Sequence, residues 1–213
     1  MKVKYLLILA FFLCSCQTMP VINKSDQFAA CPSPFLKQKY RLVHAIEARM
    51  PGDVRNAVIG VTVADPRTRS ISSAIMTAEG MVLFEAESST GKLMVKRALP
   101  PFDASGFAEN MLNDIKLTFF RPEGKIQTRG YLPDGESVCR YQEANGEWVD
   151  VMEGKAGGPQ IKSYSSSGAL KRIIRFDKAP ENPYQHIELE ANKTFGYSLI
   201  MTLIEAQPVR NKK

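Results

Sequence analysis

The sequence predicts a mainly β domain with helices, of the α+β class, built from one extended antiparallel sheet and at least one covering helix. Two patterns support this prediction: short apolar segments with a period of two, joined by tight turns, and one segment with helical spacing. The chain has 213 residues, of which 44% are hydrophobic. A chain of this size buries enough apolar surface for one domain with one core.

Four strand-like segments follow one another between residues 57 and 98. Tight turns such as Glu79-Gly80 and Thr90-Gly91 separate them, and parallel strands would need crossovers of a dozen residues or more. The segments therefore predict an antiparallel meander. Residues 40–48, before it, are compatible with either a strand or a short helix. We expect the inward side chains of the meander to be Ile59, Val61, Val63, Ile71, Ile75, Phe84, Leu93 and Val95.

A helix is predicted after Pro100-Pro101, with Asp103 or Ser105 as its N-cap and its end near Phe120. Its apolar face would consist of Phe107, Met111, Leu112, Ile115 and Phe119. Hairpin dipeptides at Asp134-Gly135 and Asn145-Gly146 then predict further strands. Because no internal segment is long enough to be a linker, we expect residues 36–213 to form a single domain.

The N-terminus is typical of an exported protein. Lys2 and Lys4 precede an apolar run over residues 5–13, which is too short to span a bilayer as a mature helix. The next residues, Leu13-Cys14-Ser15-Cys16, resemble the bacterial lipobox. This resemblance implies a signal peptide over residues 1–15, lipidation of Cys16 and a lipidated tether over residues 16–35. A plain signal peptide is the alternative.

Lipidation of Cys16 would add three acyl chains, which anchor a protein permanently without spanning the bilayer. Gln17 follows this cysteine where an aspartate usually marks retention in the inner membrane. By resemblance, the expected location is the outer membrane, on its periplasmic face.

Four cysteines are present, and export would leave two of them available for pairing. Cys14 would be removed with the signal peptide and Cys16 would carry lipid. In an oxidising compartment Cys31 and Cys139 then predict a disulfide, with two buried free thiols as the alternative. The bond would close a loop of about a hundred residues, worth at most about 4 to 5 kcal/mol.

Composition and motifs argue against nucleic-acid binding and enzymatic chemistry. The formal net charge of +6 is spread along the chain without a block of like charges. Ser89-Thr90-Gly91-Lys92 has the serine-x-x-lysine spacing, but it falls in a predicted hairpin and not at a helix start. His44 and His186 are far apart in sequence and are predicted to be strand residues. We expect no metal, no cofactor and no enzymatic activity.

A large sheet with few covering helices either leaves an apolar groove or fills its interior with its own side chains. Acyl chains suit such a groove because each buried methylene contributes about 0.8 kcal/mol. Composition alone leaves both possibilities open.

The order of elements from Ala57 to Pro122 resembles a known fold. The segments that carry this resemblance are the apolar hairpin from Ile75 to Phe84 and the helix segment from Met111 to Leu117. They are similar to the lipoprotein-localisation factors LolA and LolB, and closer to an uncharacterised family of LolB-like outer-membrane lipoproteins, some encoded beside aryl-polyene synthesis genes. The resemblance implies an incomplete antiparallel barrel, lidded by helices, with a cavity for acyl chains. Glu79 is a departure, because LolB has an exposed leucine at that hairpin tip.

From this resemblance we expect an outer-membrane lipoprotein that binds or transfers a membrane lipid or acylated ligand. The inward residues of the meander would line the cavity, with Phe107, Met111 and Ile115 on the underside of the helix. A periplasmic lipoprotein carrier is an expected partner. The alternative is a non-enzymatic accessory lipoprotein that acts through protein–protein interaction at the outer membrane.

Overall fold

The computed structural model of the protein describes residues 19–25, 30–50, 52, 54–154, 157–177, 183–191 and 196–209. The predicted signal peptide and the lipidation site at Cys16 lie outside these residues. None of the described helices is both long enough and apolar enough to cross a bilayer.

The described residues form thirteen strands and one α-helix. Their bounds are β1 (Asn23–Lys24), β2 (Tyr40–Met50), β3 (Val54–Asp65), β4 (Ser70–Met76), β5 (Val82–Ser89), β6 (Lys92–Ala98), α1 (Phe107–Phe119), β7 (Lys125–Tyr131), β8 (Ser137–Gln142), β9 (Trp148–Glu153), β10 (Pro159–Tyr164), β11 (Leu170–Phe176), β12 (His186–Ala191) and β13 (Tyr197–Pro208). Residues 40–48, for which the sequence allowed a strand or a helix, are part of strand β2.

All thirteen strands belong to one sheet, in the order β1-β7-β8-β9-β10-β11-β12-β13-β2-β3-β4-β5-β6. Every neighbouring pair is antiparallel. The sheet consists of two meanders, β2 to β6 and β7 to β13, joined where β13 pairs with β2. It is open, with β1 and β6 at its edges. The predicted antiparallel sheet with a helix between two groups of strands is confirmed.

The sheet curves around α1. The ring of Phe107 lies 5.2 Å from the ring of Phe84 on β5, and Asp114 forms an ion pair with Arg172 on β11. These two helix residues are separated by about 10 Å along the helix axis. Strands β5 and β11 are six positions apart in the sheet, about 28 Å if it were flat. One helix contacts both strands because the inner face of the sheet is concave.

Helix α1 begins later than the sequence predicted. Its N-cap is Gly106, in the left-handed conformation at φ 76°, and not Asp103 or Ser105. The preceding residues form tight turns in which Phe102 N–H donates to Leu99 O and Phe107 N–H donates to Ala104 O. The side chain of Asn110 donates to Gly106 O at 2.8 Å, one turn into the helix.

Much of the predicted tether over residues 16–35 is packed on the domain. Strand β1 pairs with β7, where a Cβ atom on Gly130 would lie 2.0 Å from the carbonyl oxygen of Asn23. Met19 N–H donates to Gly168 O in the β10–β11 turn. Cys31 forms the predicted disulfide with Cys139, with their Cα atoms 5.7 Å apart. The disulfide was predictable from the cysteine count, but backbone contacts leave no hydrophobic period, so the pairing of β1 with β7 had no signal in the sequence.

A candidate ligand cavity beneath helix α1

A cavity of about 260 Å³ lies between α1 and the inner face of strands β2, β3, β4, β12 and β13. Its wall is mainly apolar. The apolar side chains are those of Ile46, Ala48, Met50, Val58, Ile75, Phe102, Phe107, Met111, Ile115, Phe119, Leu189, Leu199 and Met201. Gly60 and the polar residues His44, Thr62, Ser73, Asn110, Asp114, Thr118 and Tyr197 complete the lining.

Small residues on the inner face of β3 and β4 leave room for the cavity. Gly60, Thr62 and Ser73 occupy inner-face positions where larger side chains would project toward α1. A Cβ atom on Gly60 would lie only 2.5 Å from Cδ1 of Ile46 on the neighbouring strand. The cavity therefore depends on this run of small side chains as well as on the curvature of the sheet.

The cavity reaches the surface at the end of β2. Met50, the last residue of that strand, lines the cavity and is 41% exposed. An apolar molecule therefore has an entrance on this side of the domain.

The sheet side of the cavity carries two kinds of polar group. The hydroxyls of Thr62 and Ser73 form a buried hydrogen bond with each other at 3.2 Å. The imidazole of His44 is 4% exposed and stacks on the ring of Phe119 at 6.1 Å. Its Nε2 atom is buried without a hydrogen-bond partner. Burial lowers the pKa of His44 to about 4, so the ring is neutral at pH 7.

A buried polar cluster on the helix side ties α1 to two strands. The carboxylate of Asp114 accepts hydrogen bonds from Nε of Arg172 on β11 and from the hydroxyl of Tyr197 on β13. Both members of the ion pair are buried. Thr118 Oγ1 donates to the backbone oxygen of Asp114 at 2.7 Å. The cluster fixes the position of the helix relative to β11 and β13, and with it the width of the cavity.

Burial and the ion pair shift the pKa values of this cluster. Burial disfavours the charged guanidinium of Arg172, but the neighbouring Asp114 and Tyr197 outweigh it and raise the pKa of Arg172 above its ordinary value. Burial, followed by the negative charge of Asp114, raises the pKa of Tyr197. The tyrosine therefore remains a neutral hydrogen-bond donor to Asp114.

Four of the residues predicted from the sequence come together at the cavity: Ile75, Phe107, Met111 and Ile115. Ile71 and Phe84 are buried elsewhere in the core, and Leu93 is partly buried against it. Val95 pairs with Ala86 near the edge of the sheet, where it is 46% exposed. These last four residues do not line the cavity.

Ile59, Val61 and Val63 lie on the outer face of β3, contrary to the predicted inward orientation. Side chains alternate along a strand, and it is Gly60 and Thr62 that line the cavity. The prediction assigned the bulkier apolar residues of β3 to the interior. In the middle of this strand the inner face instead has the small residues Gly60 and Thr62, with Val58 closer to the start of the strand, and the space above them is the cavity.

His44 and Asp114 line the cavity, although neither was predicted from the sequence to do so. Asp114 had a usable signal, since it falls between Met111 and Ile115 on the apolar face of the predicted helix. A carboxylate on a buried helix face needs a partner. Its partners Arg172 and Tyr197 are far away in sequence and carry no local signal of the pairing.

Comparison with solved structures identifies the class of fold. The crystal structure of a LolA superfamily protein from Nitrosomonas europaea is similar, with a TM-score of 0.53 and 13% sequence identity. The match covers 84% of this chain and 89% of that chain. At this identity the likeness establishes a LolA-like fold and nothing about the ligand.

Residues 42–205 match the family described as protein of unknown function (DUF3261), and the chain belongs to this family. No curated protein matches the chain.

Replacing Arg172 with Met should cost about 3 to 5 kcal/mol of unfolding free energy, because Asp114 would remain buried without its counter-ion. Arg175→Met, on the same strand, removes an exposed ion pair with Glu190 and should cost at most about 1 kcal/mol. Urea unfolding of both variants measures the difference. Equal losses would show that the buried pair does not hold α1 in place.

Unfolding free energy should fall as the pH decreases from 6.5 to 4, because the unfolded state protonates His44 in this range and the folded state does not. The lowered pKa corresponds to roughly 3 kcal/mol, present above pH 6.5 and lost by pH 4. His44→Phe should flatten this part of the profile. A flat wild-type profile would contradict the assignment.

Proposed function

We propose that the protein is an outer-membrane lipoprotein that binds or transfers a lipid or acylated ligand in the cavity beneath α1. The observation that carries the proposal is this mainly apolar cavity with an opening at Met50. Its volume of about 260 Å³ is close to the lower end of the range for small-molecule sites, about 300 Å³. It suits one hydrocarbon chain better than several.

The driving force for binding would be removal of the chain from water. Each methylene that enters the cavity contributes about 0.8 kcal/mol, and side chains on both α1 and the sheet surround it. No reaction, metal or cofactor is needed for this role. Release would follow from a shift of α1, which the Asp114–Arg172 pair opposes.

An interior filled by the protein's own side chains, together with an exposed apolar patch, would favour the accessory-protein alternative. The cavity beneath α1 favours ligand binding over this alternative.

A lipid on Cys16 would hold the domain close to the membrane. Met19 is bonded to Gly168 in the β10–β11 turn, so only two residues separate the proposed anchor at Cys16 from a fixed point on the domain. The three Cα–Cα steps from Cys16 to Met19 span at most about 11 Å. We propose that this turn faces the periplasmic side of the outer membrane. The resemblance to LolB-like outer-membrane lipoproteins, some encoded beside aryl-polyene synthesis genes, supports the same location and a periplasmic carrier as partner.

Met111→Glu should abolish uptake of a fluorescent hydrophobic probe, because a carboxylate on the cavity wall is costly to desolvate beside a hydrocarbon. Asn113→Glu places the same charge two residues away at an exposed position of α1 and should leave uptake unchanged. Probe fluorescence on titration gives the affinities, and circular dichroism checks that both variants fold. Normal uptake by a folded Met111→Glu protein would overturn the proposed site.

Cys16→Ala should yield a protein without acyl chains, whereas Cys14→Ala should keep them, because only Cys16 is the proposed lipid acceptor. Intact mass of the purified protein and its partition between membrane and soluble fractions measure the result. An acylated Cys16→Ala protein, or a wild-type protein without acyl chains, would contradict the proposed anchor.

A further inference from the structure

We propose that the cavity selects an amphiphile with an uncharged hydroxyl group on its buried chain, and that Nε2 of His44 is the hydrogen-bond partner of this hydroxyl. The inference rests on the proposed function and specifies its ligand class.

The first observation is an unpaired polar atom in the cavity wall. His44 lines the cavity, is almost completely buried, and has no hydrogen-bond partner at Nε2. Leaving such an atom unpaired costs free energy comparable to a lost hydrogen bond, and native proteins rarely retain one without a reason. A ligand that supplies the missing partner would recover this cost on binding.

The neighbours of His44 cannot supply the partner. Gly60 is opposite it on β3 and has no side chain, and Leu203 is opposite it on β13. The ring of Phe119 covers one face of the imidazole. None of these three side chains can pair with Nε2, and because His44 lines the cavity, a molecule in the cavity is the candidate source of a hydrogen-bonding group.

The polar group of the ligand should be uncharged. The cation Arg172 is already paired with Asp114, and the carboxylate of Asp114 itself lines the cavity. No lysine or arginine is among the described residues of the lining. A carboxylate would therefore be buried near Asp114 without a counter-ion, which is unfavourable. The neutral imidazole adds no charge to attract it.

A hydroxyl is the group that fits best. It can both donate and accept, so it pairs with Nε2 in either tautomer of the neutral ring. The hydroxyls of Thr62 and Ser73 line the same cavity, and Thr62 is two residues from Gly60, the cross-strand partner of His44. Diagonal neighbours of this kind lie about 7 to 8 Å apart. A ligand hydroxyl would thus enter a small polar zone within an apolar wall.

The test compares two ligands with equal numbers of heavy atoms, 1-decanol and undecane, in wild type and His44→Phe. Displacement of the fluorescent probe N-phenylnaphthylamine gives each dissociation constant. The ratio of the undecane constant to the decanol constant should fall about threefold to tenfold in His44→Phe, the factor expected for one net hydrogen bond. His186→Phe, outside the cavity, should keep the wild-type ratio.

An unchanged ratio in a folded His44→Phe protein that still binds both ligands would overturn the role of His44 and leave the proposed function intact. Failure of wild type to bind the probe and both ligands would overturn both proposals. If His44→Phe does not fold, a crystal structure of wild type with 1-decanol decides. A hydroxyl about 3 Å from Nε2 supports the proposal, and a hydroxyl at the cavity mouth overturns it.

Discussion

Within the described residues, one helix must cover the inner face of a thirteen-stranded sheet, and this constraint shapes the rest of the molecule. Because α1 contacts strands as distant as β5 and β11, the sheet has to curve around it. The buried pair of Asp114 and Arg172, with Tyr197, fixes the helix against β11 and β13. A pair of this kind adds specificity of position more than stability, since desolvation offsets much of its attraction. Coverage by a single helix is incomplete, and the cavity is the space that remains.

The cavity exists because small side chains occupy part of the inner face of the sheet, and not because the strands lack bulky apolar residues. In the middle of strand β3 the bulky residues Ile59, Val61 and Val63 lie on the outer face, while Gly60 and Thr62 line the cavity. A fully packed interior would have the reverse arrangement, because burial of large apolar groups is the main source of stability. The protein therefore forgoes packing energy at this position. His44 also costs stability, because its Nε2 atom is buried without a hydrogen-bond partner among the described residues. Both features occur at the same wall, which is where a ligand would recover the lost contacts.

The position of the N-terminal segment would relate the cavity to a membrane if Cys16 carries the proposed lipid. β1 and the Cys31–Cys139 disulfide hold this segment against the domain, so a lipid on Cys16 would act through a short connection and not through a long flexible one. Short connections restrict orientation as well as distance. If the entrance of the cavity keeps a defined position relative to the bilayer, an amphiphile can pass between the two more readily than if the domain rotates freely.

The sequence by itself determined the local structure: the strand meander of β3 to β6, a helix ending near Phe120, the disulfide partners and the antiparallel class of the sheet. Each depends on near neighbours in the chain, on turn residues, or on a count of cysteines. Only the tertiary structure decided which face of β3 points inward, because Ile59 and Val61 fit either face until the helix is placed. The tertiary structure also brings Asp114 to Arg172, 58 residues away, and His44 to Phe119. It pairs β1, which the sequence assigned to a tether, with β7. Such contacts join distant segments through single side chains or backbone groups, which leave no periodic pattern in the sequence.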